Sequence, residues 1–317
     1  VSSQFMLVIF WTKLRKDQLI FLMMIKMSKS KQKIFISGSG GFLGKNLIKY
    51  LKDNYILLTP SKKILNLKFK KRLSIYLKIN KPDIILHLAT STKFKSIDKL
   101  ENKNQYINTF ITTKNLANSI NLECKLVIYF GSIEEYGNIR TPFKENCKVN
   151  PLTYYGKYKS KSYFYIKKLM AEKKINYLWL IPSLTYGAED NKERFLGYIL
   201  NSVKYNKTFS IYPGNQIRDY IHINDICKAI TLIILNYKKV YKCRLNLSSQ
   251  NYIMIKDIPK MIEKSLKKKI FYVIKKPFKK ELNLLNSNNK LMKFFPKLKF
   301  MTFKKGLIKT LKDESII

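Results

Sequence analysis

Two residues four positions apart could carry acid–base chemistry on a hydroxyl or carbonyl group. Tyr155 and Lys159 share one face if they lie on a helix. An ammonium beside a phenol favours the phenolate and so lowers the phenol pKa. Such a tyrosine could exchange a proton with a sugar hydroxyl near neutral pH, and the lysine could also hold a nicotinamide ribose. Because the chain contains 21 tyrosines and many more lysines, this spacing also arises by chance and needs support from its surroundings.

A serine upstream of the pair gives that support. Ser132 follows an apolar run, residues 126–130, that reads as a strand. Ligands of doubly wound sheets bind at the carboxyl ends of the strands, so Ser132 could hydrogen-bond the reacting oxygen there. Ser132, Tyr155 and Lys159 are therefore the candidate catalytic residues.

A glycine-rich turn predicts a dinucleotide site. Residues 37–44 read Ser-Gly-Ser-Gly-Gly-Phe-Leu-Gly and lie between an apolar run, residues 33–36, and an amphipathic segment. Strand, glycine-rich turn and helix follow one another in this order in dinucleotide-binding units. Gly38 permits the tight turn, Gly41 lets a pyrophosphate approach the backbone, and Gly44 lets the helix pack close to the sheet. The helix N-terminus then offers N–H groups and a partial positive charge to the phosphates.

Apolar runs alternate with helix-period segments along the first half of the chain. The predicted strands are residues 33–37, 55–59, 83–88, 126–130 and 177–181. The predicted helices include residues 45–51, 71–79, 104–120 and 155–173. This alternation predicts an α/β fold, a Rossmann-type doubly wound parallel sheet with helices on both faces. After about residue 182 the pattern is less regular, which predicts a smaller, loop-rich, C-terminal substrate-binding domain.

These patterns suggest domain boundaries. Residues 31–182 form the predicted Rossmann domain, residues 183–317 are mainly the substrate-binding domain, and residues 219–240 return to the first. Residues 1–30 are expected to be an extension outside the fold, with the working chain starting near Met24 or Met27. The two apolar runs of that extension are too short for a membrane span, and a weak membrane-surface anchor is the alternative.

Composition argues against nucleic acid and metal as partners. The formal charge is +42, but the basic residues are spread along the chain and only six are arginine. Nucleic-acid readers depend on arginine for bidentate contacts, so a lysine-rich solvated surface is favoured, which would still attract an anionic substrate. The four cysteines show no metal or redox spacing and only two histidines are present. We therefore expect no metal site and a reducing cytoplasm.

Taken together, the motifs resemble the extended short-chain dehydrogenase/reductases of the NAD-dependent epimerase/dehydratase family, which act on nucleotide sugars. Reductases of the CDP-abequose synthase and GDP-fucose synthase type are similar over parts of the chain. The residues that carry the resemblance are Gly38, Gly41 and Gly44, the segment His87–Thr90, Asn108 with Thr112, Ser132 with Tyr136 and Gly137, Tyr155 with Lys159, Tyr186 with Gly187, and Gln216–Asp225. It covers about residues 32–312.

The resemblance implies roles for individual residues. The cofactor-binding residues are Gly38, Gly41, Phe42, Leu43, Gly44, Ser61, Lys62, Leu88, Ala89, Thr90, Asn108, Lys159 and Pro182. The substrate-binding residues are Glu134, Arg194 and Arg218, of which Arg218 grips the diphosphate of a nucleotide-diphosphate sugar. His87 and His222 are expected to be structural. Family members are usually homodimers, through helices that here include residues 104–120 and 155–173.

Three departures from the family pattern are informative. The predicted second strand ends without the acidic residue that holds the adenosine ribose in NAD enzymes, and Ser61, Lys62 and Lys63 there suit a 2′-phosphate. NADP(H) is therefore favoured, with NAD(H) as the alternative. Ile133 replaces the aspartate of 4,6-dehydratases, which argues against water loss. Ile181 and Leu184 stand where many relatives carry arginine and asparagine that contact the substrate.

Two reactions remain open for this set of residues. The first is the NADPH-dependent reduction of a 4-keto-6-deoxy nucleotide sugar. The second is 4-epimerisation with tightly bound NAD, which would use the same three catalytic residues. A remote third possibility, motivated by the charge, is a non-catalytic protein that binds nucleotide or RNA.

Overall fold

A parallel sheet of six strands forms the centre of the fold. The computed structural model describes residues 31–90, 99–276 and 282–317, so the prediction for residues 1–30 lies outside the described residues. In sheet order the strands are β2 (Ile56–Leu58), β1 (Lys33–Ser37), β3 (Ile84–His87), β4 (Leu126–Phe130), β5 (Tyr177–Pro182) and β9 (Cys243–Leu247). All neighbours pair in parallel. The predicted doubly wound α/β fold is confirmed.

Helices cover both faces of this sheet. Helices α1 (Phe42–Leu51) and α7 (Ile223–Leu235) pack on one face. On the other face lie α2 (Lys70–Asn80), α4 (Thr112–Ser119) and α5 (Tyr154–Glu172). Side chains of successive strand residues point to opposite faces, so Ile34 and Ile36 join the first core and Phe35 the second. A strand buried on both faces must be apolar throughout, which is why these strands are visible in the sequence.

Most predicted strands and helices begin and end within one residue of the observed bounds, and two helices differ by more. The helix predicted over residues 104–120 is divided into α3 (Lys99–Gln105), a π-helical turn (Tyr106–Ile111) and α4. The helix after the glycine turn begins at Phe42 rather than at Lys45, because Gly41 is its N-cap. Both differences concern backbone geometry at the edge of the dinucleotide cavity described below.

The remaining elements form a third core beside the sheet. They are β6 (Leu184–Tyr186), α6 (Phe195–Lys204), β7 (Phe209–Ile211), β8 (Ile217–His222), β10 (Asn251–Met254), α8 (Ile258–Leu266), β11 (Tyr272–Ile274) and α10 (Phe303–Asp313). Helix α9 (Asn289–Phe294) is the exception, since its Leu291 side chain joins the first core. Strands β10, β8 and β6 form one small sheet, and β11 pairs with β7. In the part of the chain that the structure describes, no helix has the length and apolar character needed to cross a bilayer.

The glycine turn is packed without room for side chains at two positions. Gly38 has φ +76°, and a Cβ there would lie 2.7 Å from the backbone nitrogen of Ala89. A Cβ at Gly44 would lie 2.5 Å from the carbonyl oxygen of Gly38. Gly44 therefore allows α1 to approach the turn itself, whereas the sequence analysis expected it to allow contact with the sheet.

The packing at Gly44 predicts a loss of stability when a methyl group is added. We expect Gly44→Ala to lower the free energy of unfolding by about 1–3 kcal/mol, because the new Cβ meets rigid backbone atoms. Gly40→Ala is the matched control, since a Cβ there has nothing within 4 Å, and should change stability by less than about 0.5 kcal/mol. Urea denaturation measures both, and equal effects of the two substitutions would contradict the packing argument.

Candidate active site

The structure brings the three predicted catalytic side chains together. Helix α5, capped by the Thr153 side chain, carries Tyr155 and Lys159 in its first turns, and both are buried. The Lys159 Nζ atom donates a 2.6 Å hydrogen bond to the carbonyl oxygen of Phe130, the last residue of β4. This contact holds the start of α5 against the carboxyl end of that strand, where Ser132 begins a short 3-10 turn.

The hydroxyl of Tyr155 is hydrogen-bonded to two other side chains, those of Thr90 and Ser132. Burial raises the pKa of Tyr155, and the nearby negative charge of Glu134 raises it further. The spacing of the two residues predicted that Lys159 lowers the phenol pKa, and this prediction is wrong because the pKa is raised. The Lys159 ammonium bonds the Phe130 carbonyl instead, 5.7 Å from the centre of the tyrosine ring.

Burial also changes the titration of the two nearest basic groups. The pKa of Lys159 falls to about 8 because the amine is removed from water, an effect that the charge of Glu135 opposes. The pKa of His87 falls to about 3, because of its burial and the nearby Lys159 charge. Both ring nitrogens of His87 are hydrogen-bonded, to the hydroxyls of Ser37 and Thr113. His87 is thus a neutral packing residue at the end of β3, as predicted.

A chain of hydrogen bonds leads away from Tyr155 that the sequence analysis missed. The Thr90 hydroxyl lies 3.3 Å from that of Thr109, which donates to the side-chain oxygen of Gln105. The Gln105 amide in turn donates to Glu101 over 2.8 Å. In the sequence, the signal for this chain was the spacing of four between the polar residues Glu101, Gln105 and Thr109. These three side chains support Thr90, which was predicted only as a cofactor contact.

A cavity of about 670 Å³ lies at the carboxyl ends of β1, β2 and β3. Of the predicted cofactor-binding residues it is lined by Gly38, Gly41, Ser61, Lys62, Leu88, Ala89, Thr90 and Asn108. Phe42, Leu43 and Gly44 follow in the first turn of α1. Gly41 provides no side-chain cap for this helix, and its first turn carries no acidic residue. The N–H groups of this turn are thus suited to phosphate oxygens, so the cavity fits a dinucleotide.

A second cavity, of about 520 Å³, is lined by Ser132 and Tyr155. Pro182, predicted to contact the cofactor, lines this second cavity rather than the first. Asn191 lines both cavities, which therefore adjoin. Tyr155 is placed between them, since its hydroxyl bonds Thr90 of the first and Ser132 of the second.

The predicted substrate-binding residues have different positions relative to the second cavity. Glu134 and Arg194 line it, and the Arg194 guanidinium donates a 2.9 Å hydrogen bond to Asp190. Arg218 lies outside the residues that line either cavity and donates to the carbonyl oxygen of Leu282. Its charge still acts on Tyr220, which lines the second cavity and also feels Arg194.

Two further predictions concern His222 and the binding of metal ions. His222 caps helix α7 by accepting from the backbone N–H of Asn224, a structural role as predicted. Over the described ranges, no group of three or more histidine, cysteine or acidic side chains could hold a metal ion. The predicted domain boundaries, homodimer and cytoplasmic location stay predictions.

Comparison with known proteins identifies the family. Residues 34–247 match the model of the "NAD dependent epimerase/dehydratase family". The chain belongs to this family. The resemblance inferred from the glycine turn and the three candidate catalytic residues is therefore confirmed, and the protein is an enzyme of the nicotinamide-dinucleotide-dependent kind.

Individual relatives within the epimerase/dehydratase family are distant. ADP-L-glycero-D-manno-heptose-6-epimerase of Brachyspira hyodysenteriae is 26% identical over 261 residues, covering 73% of this chain and 81% of that protein. The solved GDP-6-OMe-4-keto-L-xylo-heptose reductase of Campylobacter jejuni superposes with a TM-score of 0.80 at 16% identity, covering 90% and 98% of the two chains. The GDP-mannoheptose C4 reductase of Campylobacter jejuni with NADP bound gives a TM-score of 0.78 at 17% identity, covering 90% and 98%.

The lowered pKa of Lys159 predicts how stability changes with pH. Between about pH 8 and 10.5 the folded amine is neutral while the unfolded amine still binds a proton. Since the unfolded state then binds more protons, stability rises with pH across this window. We expect the free energy of unfolding, measured in urea relative to Lys159→Met, to be constant below pH 8 and to increase above it. A difference that stays constant up to pH 10.5 would contradict the lowered pKa.

Proposed function

We propose that the protein is an NADPH-dependent 4-ketoreductase acting on a 4-keto-6-deoxy nucleotide sugar. The observation that carries the proposal is the position of the Tyr155 hydroxyl, bonded to Thr90 of the dinucleotide cavity and to Ser132 of the adjoining one. A carbonyl in the second cavity would thus lie beside both a proton donor and the end of the first cavity where a nicotinamide would be.

The side chains have distinct roles in the proposed reduction. A bound nicotinamide dinucleotide supplies the hydride that such a reaction needs. Tyr155 gives its hydroxyl proton to the carbonyl oxygen as negative charge develops there. Ser132 orients the carbonyl by hydrogen bonding, and Lys159 places positive charge close to the phenolate that Tyr155 becomes. The raised phenol pKa keeps Tyr155 protonated at neutral pH, which is the form that a reductase requires.

Two lysines support the proposed preference for NADPH. Lys62 and Lys68 line the first cavity near the end of β2, together with Ser61. Among the described residues that line this cavity there is no acidic side chain, whereas NAD enzymes use one to hold the ribose hydroxyls. A 2′-phosphate would find two ammonium groups and a hydroxyl there. The NADP-bound C4 reductase of similar fold agrees with this assignment.

The substrate class is proposed from the second cavity and from the relatives. Arg194 and Glu134 line the cavity and would contact the nucleotide sugar. Arg218 is proposed to meet the diphosphate only if its side chain turns from the Leu282 carbonyl, which it bonds here. Relatives named as enzymes of ADP- and GDP-linked sugars support the proposal that the substrate of this protein carries a nucleoside diphosphate.

A second candidate is a nucleotide-sugar epimerase with tightly bound NAD. The heptose epimerase relative, which aligns over 73% of this chain, favours it. The same three catalytic side chains would serve, with Tyr155 first accepting and then returning the proton. The two candidates differ in whether the dinucleotide is consumed or recycled.

The proposed role of Tyr155 predicts a loss of turnover without a loss of cofactor binding. We expect Tyr155→Phe to lower kcat by about 100-fold or more, because the proton donor is missing. NADPH affinity, measured by fluorescence, should stay within about threefold. Turnover is followed as NADPH oxidation with GDP-, CDP- and dTDP-linked 4-keto-6-deoxyhexoses. The matched control is Tyr158→Phe on the same helix, whose hydroxyl bonds Asn102 instead. Near-normal turnover of Tyr155→Phe would remove it from catalysis.

The cofactor preference is tested on the purified protein before any substrate is known. We expect the protein to bind NADPH more tightly than NADH, and Lys62→Ala to weaken NADPH binding by about tenfold while leaving NADH unchanged, since a charged phosphate contact is lost. Lys63→Ala is the control, because Lys63 does not line the cavity. A protein purified with firmly bound NAD that ignores NADPH would overturn the reductase and favour the epimerase.

A further inference from the structure

A fully buried carboxylate lies directly behind the proposed catalytic residues. Glu135 ends the 3-10 turn that begins at Ser132, and none of its surface is exposed. Its Oε1 atom accepts the backbone N–H of Ser132 over 2.8 Å and the indole N–H of Trp179 over 3.1 Å. Its Oε2 atom accepts from the Arg244 guanidinium over 2.8 Å. The carboxylate thus fixes the backbone of Ser132 and is itself held by a buried cation.

Arg244 connects β9 with the two elements that carry the proposed catalytic side chains, the Ser132 turn and helix α5. It extends from β9 and its guanidinium carbon lies 4.6 Å from the ring centre of Tyr136, next to the Ser132 turn. The ring centre of Tyr163, on the helix of Tyr155 and one turn beyond Lys159, lies 4.9 Å away on the same guanidinium. A planar guanidinium can contact two aromatic rings and a carboxylate at once, which an ammonium cannot.

The charges around Lys159 come from several elements. Glu135 acts on the lysine from the 3-10 turn and stabilises its ammonium, while Arg244 faces Glu135 from β9. His87 faces Lys159 from β3 and is neutral. Tyr155 lies on the same helix, and Glu134 acts on that phenol. Among the described residues, Glu135 is thus the carboxylate whose charge acts on the lysine.

We propose that Glu135 and Arg244 form a positioning pair for the catalytic residues. Glu135 holds the Ser132 turn in place and keeps the buried Lys159 protonated, and Arg244 keeps Glu135 ionised. Neither side chain touches the substrate in this arrangement. The positioning role stands on the contacts of Glu135 with Ser132 and Arg244. The charge reaches Lys159 because the Glu135 carboxylate lies against Gly131, next to the Phe130 carbonyl that the amine bonds. The effect of the pair on turnover rests on the proposed function.

The first test needs no ligand. The free energy of unfolding in urea is measured from pH 6 to 10.5 for Glu135→Gln and for Glu135→Gln combined with Lys159→Met. The difference between the two free energies of unfolding should begin to rise at a certain pH, the onset. We expect this onset to be lower by about one unit or more than in the comparison of the wild type with Lys159→Met, because an opposite charge near the amine is lost. Glu135→Asp keeps the charge and should leave this onset within about half a unit of the parent.

A matched control removes a different buried carboxylate. Asp225 accepts the backbone N–H of Met301 and is also buried, but it lies outside both cavities. Asp225→Asn should leave the onset unchanged. If Glu135→Gln does not fold, the double variant Glu135→Gln/Arg244→Met avoids an unpaired buried cation and should show the same shift. An unshifted onset in the folded variant overturns the proposal.

The second test separates positioning from charge in turnover. With the 4-keto-6-deoxyhexose probes above, Glu135→Gln should move the alkaline limb of the kcat profile to lower pH by the same amount as the onset. Glu135→Asp should leave the limb in place but lower kcat by about tenfold, because the shorter side chain no longer reaches the Ser132 N–H. NADPH affinity at pH 7 should stay within about threefold in Glu135→Asp. If the alkaline limb of the kcat profile does not shift with the onset of the stability difference, the link between this pair and catalysis is overturned. If the onset shifts but the protein turns over none of the probes, the result counts against the proposed function alone.

Discussion

The burial of the Lys159 amine at the carboxyl end of β4 constrains the structure around it. An ammonium removed from water is costly unless polar groups replace its hydration. The Phe130 carbonyl accepts one of its hydrogens, and the Glu135 carboxylate supplies the opposite charge. Glu135 in turn is tolerable inside the protein only because Arg244 and two N–H groups bond it. The buried charge of Lys159 thus explains why the charge of Glu135, and with it that of Arg244, is buried nearby.

The same burial separates the tyrosine from the mechanism that spacing alone suggests. The spacing predicted that Lys159 lowers the Tyr155 pKa. In the structure the ammonium donates to the Phe130 carbonyl oxygen instead, and the phenol pKa is raised. A protonated phenol donates a proton more readily than it accepts one. The charge that acts most strongly on the phenol is that of Glu134, which the Tyr155–Lys159 spacing alone does not predict.

The parts of the fold that could be predicted are those in which one residue type meets one physical demand. Strands buried on both faces must be apolar, and the turn at Gly38 requires a positive φ. The same reasoning selected Ser132, Tyr155 and Lys159, which the structure brings together, and their catalytic roles stay a prediction. The phenol pKa, the support of Thr90 through Thr109, and the separation of Arg218 from the second cavity depend on tertiary distances that spacing does not report.

The high net charge of the chain contributes less to the site than its size suggests. The chain has 62 lysines and arginines, and among the described residues those that line a cavity are Lys62 and Lys68 in the first and Arg194 in the second. Charges on the solvated surface are screened over about 8 Å at physiological salt, so they attract any anion with little discrimination. Recognition of a particular anion needs cations at defined distances inside a cavity. Under the proposed function, such recognition would fall to the cations that line the two cavities, and the remaining charge would affect the rate at which anions arrive.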